Sequence, residues 1–243
     1  MTTRPDTADE APFWVEVNGR RAGAATCTPE RLEALAAGWL LAHGFIERAE
    51  DMAWLEPVAA AEGSFGLRVS VDPARADEAS RHIERCRDSG AGPLYFVQHA
   101  PDLLRGRARL LALPSPDRLA ELCRALVAAG REPGGAHAAA VTDGAELRHR
   151  IQDVSRHSAV DKAIGAALLA GEDLARLGLV VSGRVSGEIA LRAARSGIAW
   201  VASRSIPTTL ALRVAAAAAL PIVARAAGED ARVHWPPASE PVP

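Results

Sequence analysis

Phe13 to Val17 is apolar but for Glu16, and the Asn18-Gly19 pair that follows is a strong two-residue turn signal. FWVEVNGRRAG therefore predicts two short strands joined by a tight hairpin. The period then becomes helical in ERLEALAAGWLLAHG, with Thr28 expected as N-cap ahead of Pro29 and Gly44 as the stop. GLRVSVD (66–72) alternates like a strand, and PARADEASRHIERCRD reads as a second helix. No period holds across 88–116, where Gly, Pro and Ser recur, so a long loop or interdomain crossing is expected there. SPDRLAELCRALVAAG (115–130) is helical again, with Cys123 on its apolar side beside Leu119, Leu122 and Leu126.

The pattern changes after Gly134. AHAAAVTDGAELRHRI predicts a hairpin turning on Asp143-Gly144. Three loop-to-helix transitions follow in succession. DVSRHS leads into a helix over 159–170, starting at Ser158. The apolar strand LGLVV (177–181) runs through SGRVSG into a helix ending near Ser196-Gly197, and IAWVA (198–202) runs through SRSIPTT into an Ala-rich helix reaching about Ala219. Unbroken apolar strands alternating with helices predict α/β layering with parallel pairs, giving an α/β chain that is α+β overall.

Composition narrows the function. Over 243 residues the net charge is −2 and the aromatic fraction 4%, which offers neither a basic footprint nor a stacking platform for nucleic acid. The three cysteines (Cys27, Cys86, Cys123) are odd in number and far apart, with no CxxC or zinc spacing, so a disulfide framework is not expected. The first eleven residues are polar, without a signal segment, and the apolar stretch from Val214 to Ala227 is interrupted by Pro221 and Arg225. A soluble cytoplasmic protein without membrane partners is the expectation. Its predicted organisation is a disordered N-terminus (1–11), an N-terminal α+β part (12–114), a larger C-terminal domain (115–235) and a flexible tail (236–243).

Each of the three transitions carries hydroxyls, a basic residue and a helix N-terminus, whose first N–H groups lack internal partners. Such ends attract anions, and in α/β folds they converge at the carboxyl ends of strands. Arg156, Arg184 and Arg204, with Ser182, Ser186, Ser203 and Thr208, are thus candidates for one wall of a phosphate-binding crevice. The alternative is plain capping: Ser158-x-x-Asp161 has capping-box spacing, and Thr208 or Thr209 after Pro207 is an ordinary helix entry. Asp153, His157 and Asp161 have i, i+4, i+8 spacing, but a helix starting at Ser158 removes Asp153 from that face, so no metal site is expected. His137, flanked by small residues that allow close approach, is a functional candidate, with a structural strand histidine as the alternative.

At these residues the chain resembles the FdhD family of formate dehydrogenase accessory proteins. GGAHAAAV (134–141), QDVSRHSAVDKAIGAAL (152–168), SGRVSGEI (182–189) and SRSIPTTLAL (203–212) are similar to that family's signature blocks, in order. EAPFWVEVNG and TPERLEALAAGWLLAHGFI resemble its opening strand, turn and helix, so the likeness covers nearly the whole chain. The resemblance implies a cytidine-deaminase-like C-terminal half and a sulfur carrier that takes sulfur from a cysteine desulfurase. It further implies that the sulfur passes to the bis-guanylyl molybdopterin cofactor, a molybdenum-bearing cargo destined for the formate dehydrogenase catalytic subunit. A homodimer is expected, with no tightly bound metal. The implied cofactor contacts are His137, then Asp153, Arg156, His157, Asp161 and Lys162, then Ser182, Gly183, Arg184, Ser186 and Glu188, then Ser205, Pro207 and Thr208. The family also places contacts in a Gly-containing loop after its last apolar strand, here IVARAAGED with Arg225 and Gly228.

One departure stands out. The family's CGVCG-like loop falls here on DSGAGPL, with Ser89 and Gly92 in place of the two cysteines. A hydroxyl cannot hold a persulfide, which needs a polarisable thiolate. Cys86, three residues upstream, could substitute only at a mobile, exposed helix end. The expected function is therefore cofactor holding, with sulfur transfer in question. Two alternatives stay open: a hydrolase or deaminase-like enzyme using His137, Asp153 and His157, although the zinc deaminase signature is absent, and a non-catalytic client-binding homologue.

Overall fold

The computed structural model describes residues 7–58, 63–104, 112–128 and 136–234. Strands β1 (Ala11–Val17) and β2 (Arg20–Cys27) form the expected hairpin. Asn18 and Gly19 both take positive φ, at 49° and 80°, as a two-residue turn matched to strand twist requires. The Asn18 amide accepts from the Val71 N–H at 3.0 Å and donates to its carbonyl at 3.1 Å. That anchors the hairpin beside β4 (Phe65–Val69), which runs parallel to β1, while β3 (Leu55–Val58) closes the sheet in the order β2-β1-β4-β3. Helix α1 (Leu32–His43) covers one face and ends at Gly44, as its sequence predicts.

The start of α1 differs from expectation. Thr28 is not its N-cap; Arg31, in the left-handed region, precedes the helix without a side-chain cap. The Thr28 hydroxyl instead accepts from the Val154 N–H at 3.2 Å, so a long-range contact outbids the local one. Helix α2 (Pro73–Asp88) matches its predicted bounds, with the Asp72 side chain capping the Arg75 N–H. The stretch expected to be irregular holds α3 (Leu94–His99) and a 3-10 turn at Pro101–Leu103. Buried Tyr95, Phe96 and Val97 hold α3 in place. Six residues are too few for a helical period to register.

Helix α4 (Pro116–Ala128) leads to the second hairpin, β5 (His137–Thr142) and β6 (Leu147–Asp153), then α5 (Arg156–Leu169), β7 (Gly178–Val181) and α6 (Gly187–Arg195). Strand β8 (Trp200–Ser203), α7 (Thr209–Ala218), β9 (Ile222–Ala224) and β10 (Arg232–His234) complete the chain. The sheet order is β10-β9-β8-β7-β5-β6, parallel across β7, β8 and β9 and antiparallel elsewhere, so the fold is α+β overall. One sheet face packs on α4, where Cys123 is buried with Leu119, Leu122 and Leu126. The other face shares a continuous core with α5, α6, α7, α1 and the N-terminal sheet. The tail at 236–243 lies outside the described residues, and the segment expected to be disordered to residue 11 already enters β1 at Ala11.

Helices α1 and α5 cross at glycines. A Cβ on Gly38 would lie 1.9 Å from the Asp161 carbonyl oxygen, and one on Gly165 would lie 1.9 Å from that of Ala34. The backbones themselves are in contact. At the end of α7, exposed Ala219 takes φ 52°, the conformation that favours glycine. Ala219→Gly is expected to stabilise the fold by about 0.5–1 kcal/mol, raising Tm by roughly 1–4 °C in a thermal melt.

Candidate functional site

The three loop-to-helix transitions meet at one edge of the larger sheet, at the carboxyl ends of β6, β7 and β8 and the amino end of β5. Each helix begins with the same device. Ser155 Oγ accepts from the Ser158 N–H at 3.3 Å, Ser186 Oγ from the Ile189 N–H at 3.4 Å, and Thr208 Oγ1 from the Ala211 N–H at 3.2 Å. The first of these corrects the predicted start of α5 at Ser158. Ser158 turns its hydroxyl to the Thr26 carbonyl at 2.8 Å, and the Asp153 carboxylate accepts from the Ser155 N–H at 2.8 Å, so the chain is already turned for entry at Ser155.

The two later loops are bound to each other. Val185 pairs with Pro207 beyond the strand ends, with Val185 N donating to the Ile206 carbonyl at 3.3 Å and Thr208 N to the Val185 carbonyl at 2.9 Å. Ser203 Oγ donates to the Gly183 carbonyl at 2.7 Å, and Ser182 Oγ accepts from the Ala138 N–H at 2.8 Å. These serines therefore brace the loops. The loop after β9 joins the same edge, its Arg225 N–H donating to the Ser205 carbonyl at 2.9 Å. Arg225 itself takes φ 51° and pairs with Asp230, and Gly228 is exposed. Arg184 and Ile206 occupy equivalent positions two residues before their caps, and both are exposed. Sequence reasoning missed Ile206, because one apolar residue in a loop carries no periodic signal.

Asp153, Asp161 and Lys162, expected among the ligand contacts, lie in a layer beneath the loops. Lys162 and Asp153 are 1% and 0% exposed and 2.5 Å apart, and Lys162 also donates to the Thr28 carbonyl at 2.6 Å. Asp161 receives Arg192 Nε at 3.0 and 3.2 Å, and Arg192 Nη1 reaches Glu188 Oε2 at 2.9 Å. Burial pushes the Asp161 carboxyl up to about 6, with Arg192 acting against it. Burial likewise opposes the charge on Arg192, yet Asp161 and Glu188 hold its pKa above the ordinary value.

Above this layer stand two histidines. His137 Nδ1 is 3.1 Å from where a side chain on Gly183 would begin, so a larger residue there would press on the ring. His157 Nε2 lies 3.4 Å from Ser186 Oγ. Burial first, then the nearby Arg156, lower His137, with Asp153 opposing. Burial, Arg192, Arg156 and His137 bring His157 down to about 4. Both rings therefore favour the neutral form at pH 7. Arg184 and Arg204 are exposed and Arg156 partly so; none of the three is in an ion pair among the described residues. The edge thus combines three arginines, two neutral imidazoles and three helix N-termini, an arrangement suited to a multiply charged anion.

The DSGAGPL loop (88–94), where the resemblance leads one to expect cysteines, is an internally bonded turn. Ser89 Oγ donates to the Cys86 carbonyl at 3.0 Å and accepts from the Ala91 N–H at 3.2 Å, while Cys86 Sγ donates to the Gly92 carbonyl at 3.1 Å. Gly90 and Gly92 take positive φ. Burial and the charge of Glu188 both raise the Cys86 thiol, and Cys27 and Cys123 are fully buried with pKa values pushed up to about 11. Cys27 is the last residue of β2. Among the described residues no group of His, Cys, Asp and Glu is placed to hold a metal, and no helix is long and apolar enough to cross a membrane.

Comparison with known proteins agrees with this architecture. The chain is 30% identical over 220 residues to the sulfur carrier protein FdhD of Staphylococcus haemolyticus, covering 88% of this chain and 82% of that protein. It is 32% identical over 227 residues to the protein of that name in Burkholderia mallei, again covering 88% and 82%. A crystal structure described as a putative formate dehydrogenase accessory protein from Desulfotalea psychrophila shares the fold. It matches with a TM-score of 0.71 and 23% identity, over 94% of this chain and 88% of that one. With the FdhD/NarQ family model matching residues 8–238 as well, the resemblance seen in the signature blocks extends along the chain, which belongs to the FdhD/NarQ family.

Proposed function

We propose that this protein is a formate dehydrogenase accessory protein that holds the bis-guanylyl molybdopterin cofactor, as cargo, across the crevice at the sheet edge. The observation that carries this reading is the convergence of three capped helix N-termini with Arg156, Arg184 and Arg204 at one edge. That cargo carries four phosphates, and its charges match this lining. Arg184→Ala is expected to weaken binding of GDP by about 1.5–3 kcal/mol in calorimetry, the worth of a hydrogen bond to a charged group. Unchanged affinity removes Arg184 from the site.

The relatives bear the name sulfur carrier, and in this chain we propose that the role is holding without persulfide relay. Ser89 and Gly92 supply no thiol, and Cys86 has a raised pKa that leaves little thiolate for attack on a sulfur donor. Incubation with a cysteine desulfurase, cysteine and a mass-tagged sulfur source is expected to label neither the wild type nor Cys86→Ser, with both supporting formate dehydrogenase activity. One added sulfur on the wild type that the variant lacks, with activity following it, places the relay on Cys86.

A further inference from the structure

The loop after β7 is flanked by both imidazoles, His137 against Gly183 and His157 against Ser186. The charges acting on them come from the elements on either side of that loop. Arg156 on α5 acts on both rings, while Arg192 on α6 and His137 itself act on His157. The opposing charge is Asp153 on β6, acting on His137, and its oxygens are already engaged by Lys162 and the Ser155 N–H. On α6, Glu188 is turned to Arg192. This edge thus has cations and rings that favour the neutral form, with its nearest carboxylates neutralised by Lys162 and Arg192. An entering phosphodiester brings the negative charge that this arrangement lacks.

Resting on the reading of this edge as a site for a phosphate-bearing ligand, we propose that His137 and His157 are proton-accepting ligand contacts. Entry of a phosphodiester anion transfers protons from solvent to these rings, and the ligand is held more tightly as pH falls. The step forms an N–H bond on the imidazole and leaves the donor, water or buffer, one proton poorer; nothing is oxidised or reduced. Ser186 converts that proton into a contact. Once His157 Nε2 carries hydrogen, Ser186 Oγ accepts it alongside the Ile189 N–H, and the serine's own hydrogen is released toward the ligand. Proton uptake and the new donor arise together.

The test uses the full chain and diguanosine diphosphate, whose diester phosphates have no protonation step near neutrality. Calorimetry in buffers of different ionisation enthalpy, between about pH 6.5 and 8, is expected to show net proton uptake on binding. Affinity should fall as pH rises, by up to about tenfold per pH unit for each ring that takes up a proton. In the His137→Gln, His157→Gln double variant, which keeps hydrogen-bonding side chains but cannot titrate, binding is expected to persist with neither dependence. The ring ¹⁵N signals of His137 and His157, assigned from the single variants, are expected to move from neutral to charged positions when ligand is added. Binding with no proton uptake, linkage that survives in the double variant, or ring signals that stay neutral each overturn the proposal while leaving the anion site standing. Absence of binding at every pH removes the anion site itself.

Discussion

Gly165→Ala is expected to destabilise the protein by about 3 kcal/mol or more, toward the severe end of overpacking substitutions. The added methyl would sit 1.9 Å from the Ala34 carbonyl oxygen and 2.6 Å from the Gly38 nitrogen, and neither is the end of a flexible side chain. Helices α1 and α5 must therefore part. Gly38→Ala should behave alike, since its methyl meets the Asp161 carbonyl at 1.9 Å across the same crossing. Once one methyl has separated the helices the second meets less resistance, so the double variant is expected to cost less than the sum of the two. Urea denaturation of all three variants checks this. A single-variant loss below about 1 kcal/mol shows that the crossing relaxes without strain.

Lys162→Met is expected to cost about 3–5 kcal/mol, because it leaves the Asp153 carboxylate buried without its counter-charge. Adding Asp153→Asn should recover much of that loss by removing the stranded charge. The sign of the pH dependence separates this cause from simple repacking. In Lys162→Met the carboxyl of Asp153 has a folded pKa raised above its unfolded value, so the penalty is full above the folded pKa and shrinks as pH falls through it. The stability gap between wild type and variant should narrow on acidification. A gap that stays constant with pH assigns the loss to packing alone.

Local chemistry was legible where one signal had no competitor. The Asn18-Gly19 and Asp143-Gly144 hairpins and the stop at Gly44 follow from backbone preferences that neighbouring residues leave alone. The start of α5 was ambiguous because Ser155 and Ser158 both offer a cap, and the choice is made by Thr26, 132 residues away, which engages Ser158. Thr28 was misread for the same reason. At the candidate site, the recurrence of hydroxyl, base and helix start anticipated that these helix entries lie side by side. Which side chains face outward was not readable: the Asp161–Arg192 pair spans 31 residues, and burial of Asp153 and Lys162 depends on a backbone corner from the opposite end of the chain.

That corner has a consequence for how the protein is made. Thr26 and Thr28 are held by Val154, Ser158 and Lys162, contacts that span 126 to 134 residues. Helix α1 is buried continuously from Ala34 to Ala42, and much of its cover is α5, so during synthesis it stays uncovered until that later helix has left the ribosome. Contacts of such separation form slowly, since the intervening loop must close before they repay its entropy. The nascent N-terminal half thus carries an apolar helix whose cover arrives only with α5.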